Sequence, residues 1–123
     1  QQELSYIKKS IEFTFTPHIL PMFRGILSTI YLNYKSKANL NKIYNELRRF
    51  YMSHKFIKIL KNKALSTNDV INTNNCQISV CKSKDKKKLI ILSSIDNLIK
   101  GGAGQAVQNL NLIFNFKLNE GLK

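Results

Sequence analysis

The stretch "SIDNLIKGGAGQAVQNLN", residues 94–111, decides how this chain is read. An apolar, strand-like segment, Leu89–Leu92, runs into it from the N-terminal side. The glycine corner Gly101-Gly102-Ala103-Gly104 comes next. From there Ala103, Ala106, Val107, Leu110, Ile113 and Phe114 recur at helical spacing, which predicts an amphipathic helix from Gly102 to about Asn115. A strand, a glycine-rich corner and a helix invite a phosphate-binding reading, because the free N–H groups at a helix start attract anions. Both specific motifs fail. Counted from Gly102, the third glycine of a dinucleotide fingerprint falls on Val107, and no lysine and hydroxyl residue come after the glycines as a P-loop requires. Glycine then has the plainer use of letting the chain turn sharply and pack closely.

Working outward, the segment before this corner reads as a hairpin. Gln77–Lys82 and Lys87–Ser93 are strand-like, and the run KSKDKKK between them is a solvated turn. Lys61–Asn75 is a polar loop, and Phe56–Leu60 a short strand before it. Ile43, Leu47, Phe50 and Tyr51 share one face of a helix that Asn39 or Asn41 could cap. Gly25–Tyr34 is rich in Ile, Thr and Tyr, as strands are. Ile11–Thr16 alternates strictly and predicts a half-buried strand, which Pro17 and Pro21 interrupt. Gln1–Lys9 reads as the last turns of a helix. The order predicts an α+β fold, a largely antiparallel mixed sheet with helices on one face.

The chain has 123 residues and a formal charge of +13. That length suits one domain or part of a larger one. The charge raises the alternative of a small Lys-rich nucleic-acid-binding module. Against it, Lys, Asn and Ile are abundant everywhere, as a coding bias would make them, and no aromatic residue interleaves with Lys82–Lys88. Nucleic acid is not the expected partner. No apolar run approaches the roughly 20 residues of a membrane span, so no membrane role is expected. Gln1-Gln2-Glu3 has none of the features of a signal peptide and reads as the cut end of something longer.

Cys76 and Cys81 are the only cysteines. They fit neither CxxC nor a zinc cluster, and His18 and His54 do not complete one, so no metal is expected. On one strand their odd separation points them to opposite faces. Two reduced thiols in a cytoplasmic protein are the expectation. No Ser/His/Asp or Cys/His pairing and no close pair of carboxylates stands out. His18, between two prolines, sits where a side chain can leave the sheet. Arg24 says more: where nearly every cation is Lys, a retained Arg suggests that its planar fork is needed for a carboxylate or a phosphate.

"FTFTPHILPMFRGILSTIYL" (Phe13–Leu32), "TNNC" (Thr73–Cys76) and "SSIDNLIKGGAGQAVQNLNLIFNFKLNEGL" (Ser93–Leu122) resemble three blocks of the N-acetyl-gamma-glutamyl-phosphate reductases, in the family's order. These enzymes of arginine biosynthesis are relatives of aspartate-semialdehyde dehydrogenase. The resemblance covers essentially the whole chain but only the family's C-terminal portion. It implies an NADP(H)-dependent oxidoreductase that reduces the small-molecule substrate N-acetyl-glutamyl phosphate to the semialdehyde, working as a cytoplasmic homo-oligomer. It also implies that residues 1–100 are a partial catalytic and dimerisation domain. Residues 101–123 would be a C-terminal helix and tail that returns to a Rossmann domain outside the chain. The opening "QQELSYI" resembles the residues directly after the family's H-R-H-x-P-E-I segment. The nucleophilic cysteine and the assisting histidine are therefore expected upstream of Gln1, and the isolated chain is expected to be inactive. Cys76 matches a different family position. By the same resemblance Asn97, Lys100, Gly101 and Gly102 are candidates for the rim of the cofactor cleft. His18 and Arg24 are candidates for the substrate side, or for holding the loops there. Some of Ala106, Leu110 and Phe114 should then be exposed when the helix stands without its partner domain.

Overall fold

A computed structural model describes residues 6, 13–33 and 39–123 of the chain. Its elements are β1 (Ile26–Asn33), α1 (Leu40–Tyr51), β2 (Ile57–Lys61), β3 (Cys76–Lys82), β4 (Lys88–Ile95) and α2 (Gly104–Ile113). The four strands form one sheet in the order β1-β4-β3-β2. β4 is antiparallel to both β1 and β3, and β2 runs parallel to β3. The mixed, largely antiparallel α+β architecture read from the sequence is the one observed.

The register explains the core. Leu32 lies opposite Leu89 and Ile91 opposite Val80, so strand alternation gathers these side chains on one face. Leu40, Ile43 and Leu47, spaced for one side of α1, close over them. Asn39 starts that helix by accepting a bond from the Lys42 N–H through its side chain at 3.0 Å, and Arg48 and Arg49 complement the dipole in its last turn. On the opposite face the β2–β3 connection lies across the sheet. The Lys63 N–H donates to Ser79 Oγ at 3.2 Å, and Ser94 Oγ donates to the Ser66 carbonyl at 3.3 Å. Ser79 and Ser94 are buried beneath it. β1 is an edge strand with apolar side chains exposed on both faces, Ile26 and Ile30 on one and Leu27 and Tyr31 on the other.

Three local expectations need correction. The strand predicted over Ile11–Thr16 falls partly outside the described residues, and residues 13–16 form no strand. Alternation alone does not make a strand when no neighbour supplies a ladder, and Phe13 and Phe15 are exposed. The last helix begins at Gly104 rather than Gly102. Before it, the N–H groups of Gly101, Ala103 and Gly104 bond five residues back, to Asp96, Leu98 and Ile99. This winds Ile99–Ala103 into a wide π-type turn kinked at Gly102, whose φ −149° and ψ −115° are not helical. The polar loop 61–75 holds a short 3₁₀ turn, Thr67–Asp69, capped by Ser66. Of the helix predicted over Gln1–Lys9 only Tyr6 is described, and it is helical; the rest lies outside the described residues.

Candidate functional site

The sheet's first and last strands end side by side, at the pair Ile26 and Ile95. Beyond that pair β1 is entered from Arg24-Gly25, and β4 leaves through Asp96-Asn97. Backbone pairing stops here and side chains continue it. Arg24 Nε lies 2.8 Å from Asp96 Oδ2 and 3.0 Å from Oδ1. The Gly25 N–H donates to Asn97 Oδ1 at 2.7 Å. Asp96 also accepts the N–H groups of Asn72 at 2.7 Å, Leu98 at 2.9 Å and Ile99 at 3.0 Å. Its side chain is wholly buried. Burial by itself would raise the Asp96 pKa, but Arg24 and the three backbone N–H groups outweigh it and hold the carboxyl down to about 2. The group is ionised and fully satisfied.

A second cluster lies under the start of α2. Gln108 Oε1 accepts from Asn74 Nδ2 at 2.8 Å and from Lys100 Nζ at 2.7 Å. The Lys100 ammonium also stands 5.6 Å from the Phe56 ring centroid, a cation–π contact. Burial lowers the Lys100 pKa, and the nearby Cys76 acts in the opposite direction. Asn74 is buried, and its Oδ1 has no hydrogen-bond partner among the described residues. The Asn74 N–H donates to the Lys123 carbonyl at 2.7 Å, so the end of the chain folds back onto this segment. Asn111 fixes that return by donating through Nδ2 to the carbonyls of Leu118 and Glu120.

The predicted residues separate into groups. Asn97 spends its side-chain oxygen on Gly25, and Lys100 turns inward to Gln108. Gly101 and Gly102 are exposed at the surface. Arg24 is tied to Asp96 and borders an open groove of about 400 Å3 with Met22, Phe23, Thr67, Asn68 and Asn72. His18 is exposed, donates from Nδ1 to the Thr16 carbonyl at 3.1 Å, and shares no hydrogen bond with Arg24. Cys76 and Cys81 are free thiols on β3. Sequence reasoning missed Asp96, Asn74 and Gln108. A signal for Asp96 was present: only 7 residues are acidic against 20 Lys and Arg, so each retained carboxylate merited the weight given to Arg24. Among the described residues no group of side chains could hold a metal ion, and no helix is long and apolar enough to cross a membrane. Lys84, Lys86, Lys87 and Lys88 stand on the exposed β3–β4 corner, as a solvated turn would have them, and nothing in this placement favours a nucleic-acid module.

The apolar side of α2 is largely uncovered. Leu110 is 47% and Phe114 62% exposed, and Ala106 is exposed too. The resemblance calls for some of these three to be exposed, and all three are.

The family model for the semialdehyde dehydrogenase dimerisation domain matches residues 1–97. The chain belongs to that family. Curated relatives carry the name N-acetyl-gamma-glutamyl-phosphate reductase. One from Clostridium botulinum (strain Eklund 17B / Type B) is 49% identical over 91% of this chain and 33% of its own length. Another, from Thermoanaerobacter pseudethanolicus, is 43% identical over 99% of this chain and 36% of its own length. The chain thus spans about a third of these relatives. Among solved structures, aspartate semialdehyde dehydrogenase II from Vibrio cholerae superposes with a TM-score of 0.60 at 16% identity, over 78% of this chain and 29% of that one. The aspartate semialdehyde dehydrogenase of Francisella tularensis gives 0.59 at 17% identity, over 76% of this chain and 27% of that one. These two likenesses concern the fold.

Proposed function

We propose that the chain is the C-terminal part of an N-acetyl-gamma-glutamyl-phosphate reductase, a cytoplasmic, NADP(H)-dependent enzyme that converts N-acetyl-glutamyl phosphate to the semialdehyde. One observation carries the reading. Three separated stretches, around Arg24, Asn74 and Asp96, are drawn together at the root of a helix whose apolar side stays uncovered. The relatives' names supply the reaction class.

In this reading residues 1–100 are the substrate- and subunit-facing domain, and residues 101–123 lean on a nucleotide-binding domain. The thiolate that attacks the acyl phosphate, expelling phosphate, and the imidazole that assists it belong to segments before Gln1. The rim formed by Asn97, Lys100, Gly101 and Gly102 fits an NADP cofactor. Gly101 and Gly102 are exposed, so their bare backbone can be approached closely by a group from outside. When bound, that cofactor supplies the hydride that reduces the thioester. This chain's contribution is to orient: Asn97 and Lys100 are immobilised through Gly25 and Gln108, while His18 and Arg24 stand on the substrate side. Oligomerisation uses the exposed apolar surface of the sheet at β1.

The test joins residues 1–123 behind the preceding two-thirds of a reductase relative and follows NADPH oxidation by the acyl phosphate. The joined protein is expected to turn over, and the isolated chain is not. Turnover by the isolated chain, or a correctly folded but silent joined protein, would overturn the reading.

A further inference from the structure

We infer that Arg24 is a positioning residue: acting through Asp96, it sets the turn that carries Asn97, Lys100, Gly101 and Gly102, and so couples the segment before β1 to the proposed cofactor rim. The inference deepens the reductase reading and rests on it for the identity of that rim.

Two successive residues before β1 are laced to two successive residues after β4. Arg24 meets Asp96, and Gly25 meets Asn97. The backbone ladder between these strands ends at Ile26 and Ile95, so the lacing carries the strand pairing one step further by side chains. Asp96 then passes the constraint on, since its Oδ1 receives both Leu98 N–H and Ile99 N–H. Those are the first amides of the turn, and Ile99 opens the π-helical stretch through Ala103. A second oxygen on the same carboxylate holds Asn72, two residues before Asn74. One side chain therefore orients the turn and the segment beneath α2 together.

Direct recognition of a substrate anion by Arg24 is the competing role. It requires a cation whose charge is available. Here the guanidinium faces a buried carboxylate at 2.8 Å, so the pair is internally neutral and an incoming anion would compete with a partner that water does not reach. Arg24 itself is largely covered, at 18% exposure. The contact runs through Nε, which lies between the two carboxylate oxygens at 2.8 and 3.0 Å.

The joined protein separates the two roles. Arg24→Met, Arg24→Lys and Asp96→Asn are compared singly, together with the Arg24→Met/Asp96→Asn pair, for kcat and for both KM values. Positioning predicts that Arg24→Met and Asp96→Asn raise the KM for NADPH and lower kcat/KM by on the order of a hundredfold, the usual scale for a small misplacement. The double variant should be no worse than Asp96→Asn alone, because Arg24 acts through that carboxylate, which also holds the Asn72, Leu98 and Ile99 amides. Arg24→Lys should lose less and guards against a variant that fails to fold. A rise in the acyl phosphate KM confined to the Arg24 variants, with Asp96→Asn unaffected, would overturn the inference and leave the reductase reading intact. Amide exchange in the 123-residue chain gives an answer that does not depend on activity. Arg24→Lys should speed exchange at Leu98 and Ile99 while distant β3 amides keep their protection; unchanged exchange there would also overturn it.

Discussion

Gly104 and Asn74 are in contact so close that no side chain fits between them: a Cβ on Gly104 would fall 2.6 Å from Asn74 Oδ1. It would also fall 2.8 Å from the Ile99 carbonyl oxygen, a backbone atom that cannot swing aside. The glycine corner therefore serves close packing, and the glycine with that duty is the last of the three.

Gly104→Ala tests this against the opposite expectation from helix propensity. Alanine in a helix is favoured over glycine by about 1 kcal/mol, and Gly104 has ordinary helical dihedrals. Overpacking costs about 1–3 kcal/mol or more, and the immovable carbonyl puts this site at the upper end. Urea unfolding should show a net loss of about 2 kcal/mol; a gain would mean that α2 is not seated on Asn74.

Gly25→Ala should be at least as damaging. Gly25 has φ +109°, a conformation that L side chains rarely adopt, and its Cβ would lie 2.6 Å from Thr67 Cβ. A loss of about 2–3 kcal/mol is expected. Adding Thr67→Gly removes the contact but not the backbone penalty, so it should restore only part of the loss in thermal or urea unfolding.

Asp96 makes stability depend on acid in a defined direction. Its folded pKa, about 2, lies below the ordinary aspartate value of 3.8, so the ionised form is favoured by folding. The stabilisation is complete above the unfolded pKa and is lost as pH falls from about 4 through 2. The shift corresponds to about 2 kcal/mol. Unfolding free energies across that range should fall more steeply for the native chain than for Asp96→Asn; parallel curves would show that the carboxylate is not held as described.

The uncovered side of α2 predicts behaviour in solution. Leu110 and Phe114 extend an exposed apolar surface that includes Val107 and Ile113, and such patches promote association. The isolated chain should self-associate or precipitate at moderate concentration. Leu110→Lys with Phe114→Ser should reduce this in analytical ultracentrifugation while the cooperative unfolding transition is kept. A well-behaved native monomer would count against a helix built to lean on another domain.

Much was legible in the residues themselves. Helical spacing through Ile43 and Leu47, with Asn39 before it, marked α1, because a 3.6-residue period and a capping side chain are local facts. The hairpin of β3 and β4 was legible for a similar reason: two apolar runs flank a lysine-rich corner. What local pattern could not supply was the company each segment keeps. The alternation over Ile11–Thr16 predicted a strand that residues 13–16 do not form, since a ladder needs a neighbour as well as a pattern. The scarcity of acids marked Asp96 as a retained carboxylate, but no local motif names its partners. Its meaning comes from Arg24, 72 positions away in sequence, and from three amides that only the fold brings to it. The sequence by itself determined α1, the four strands of the sheet and the family they resemble, through periodicity and motif. Tertiary structure alone decided which polar groups lose their water together, and buried electrostatics depends on that shared enclosure rather than on residue order.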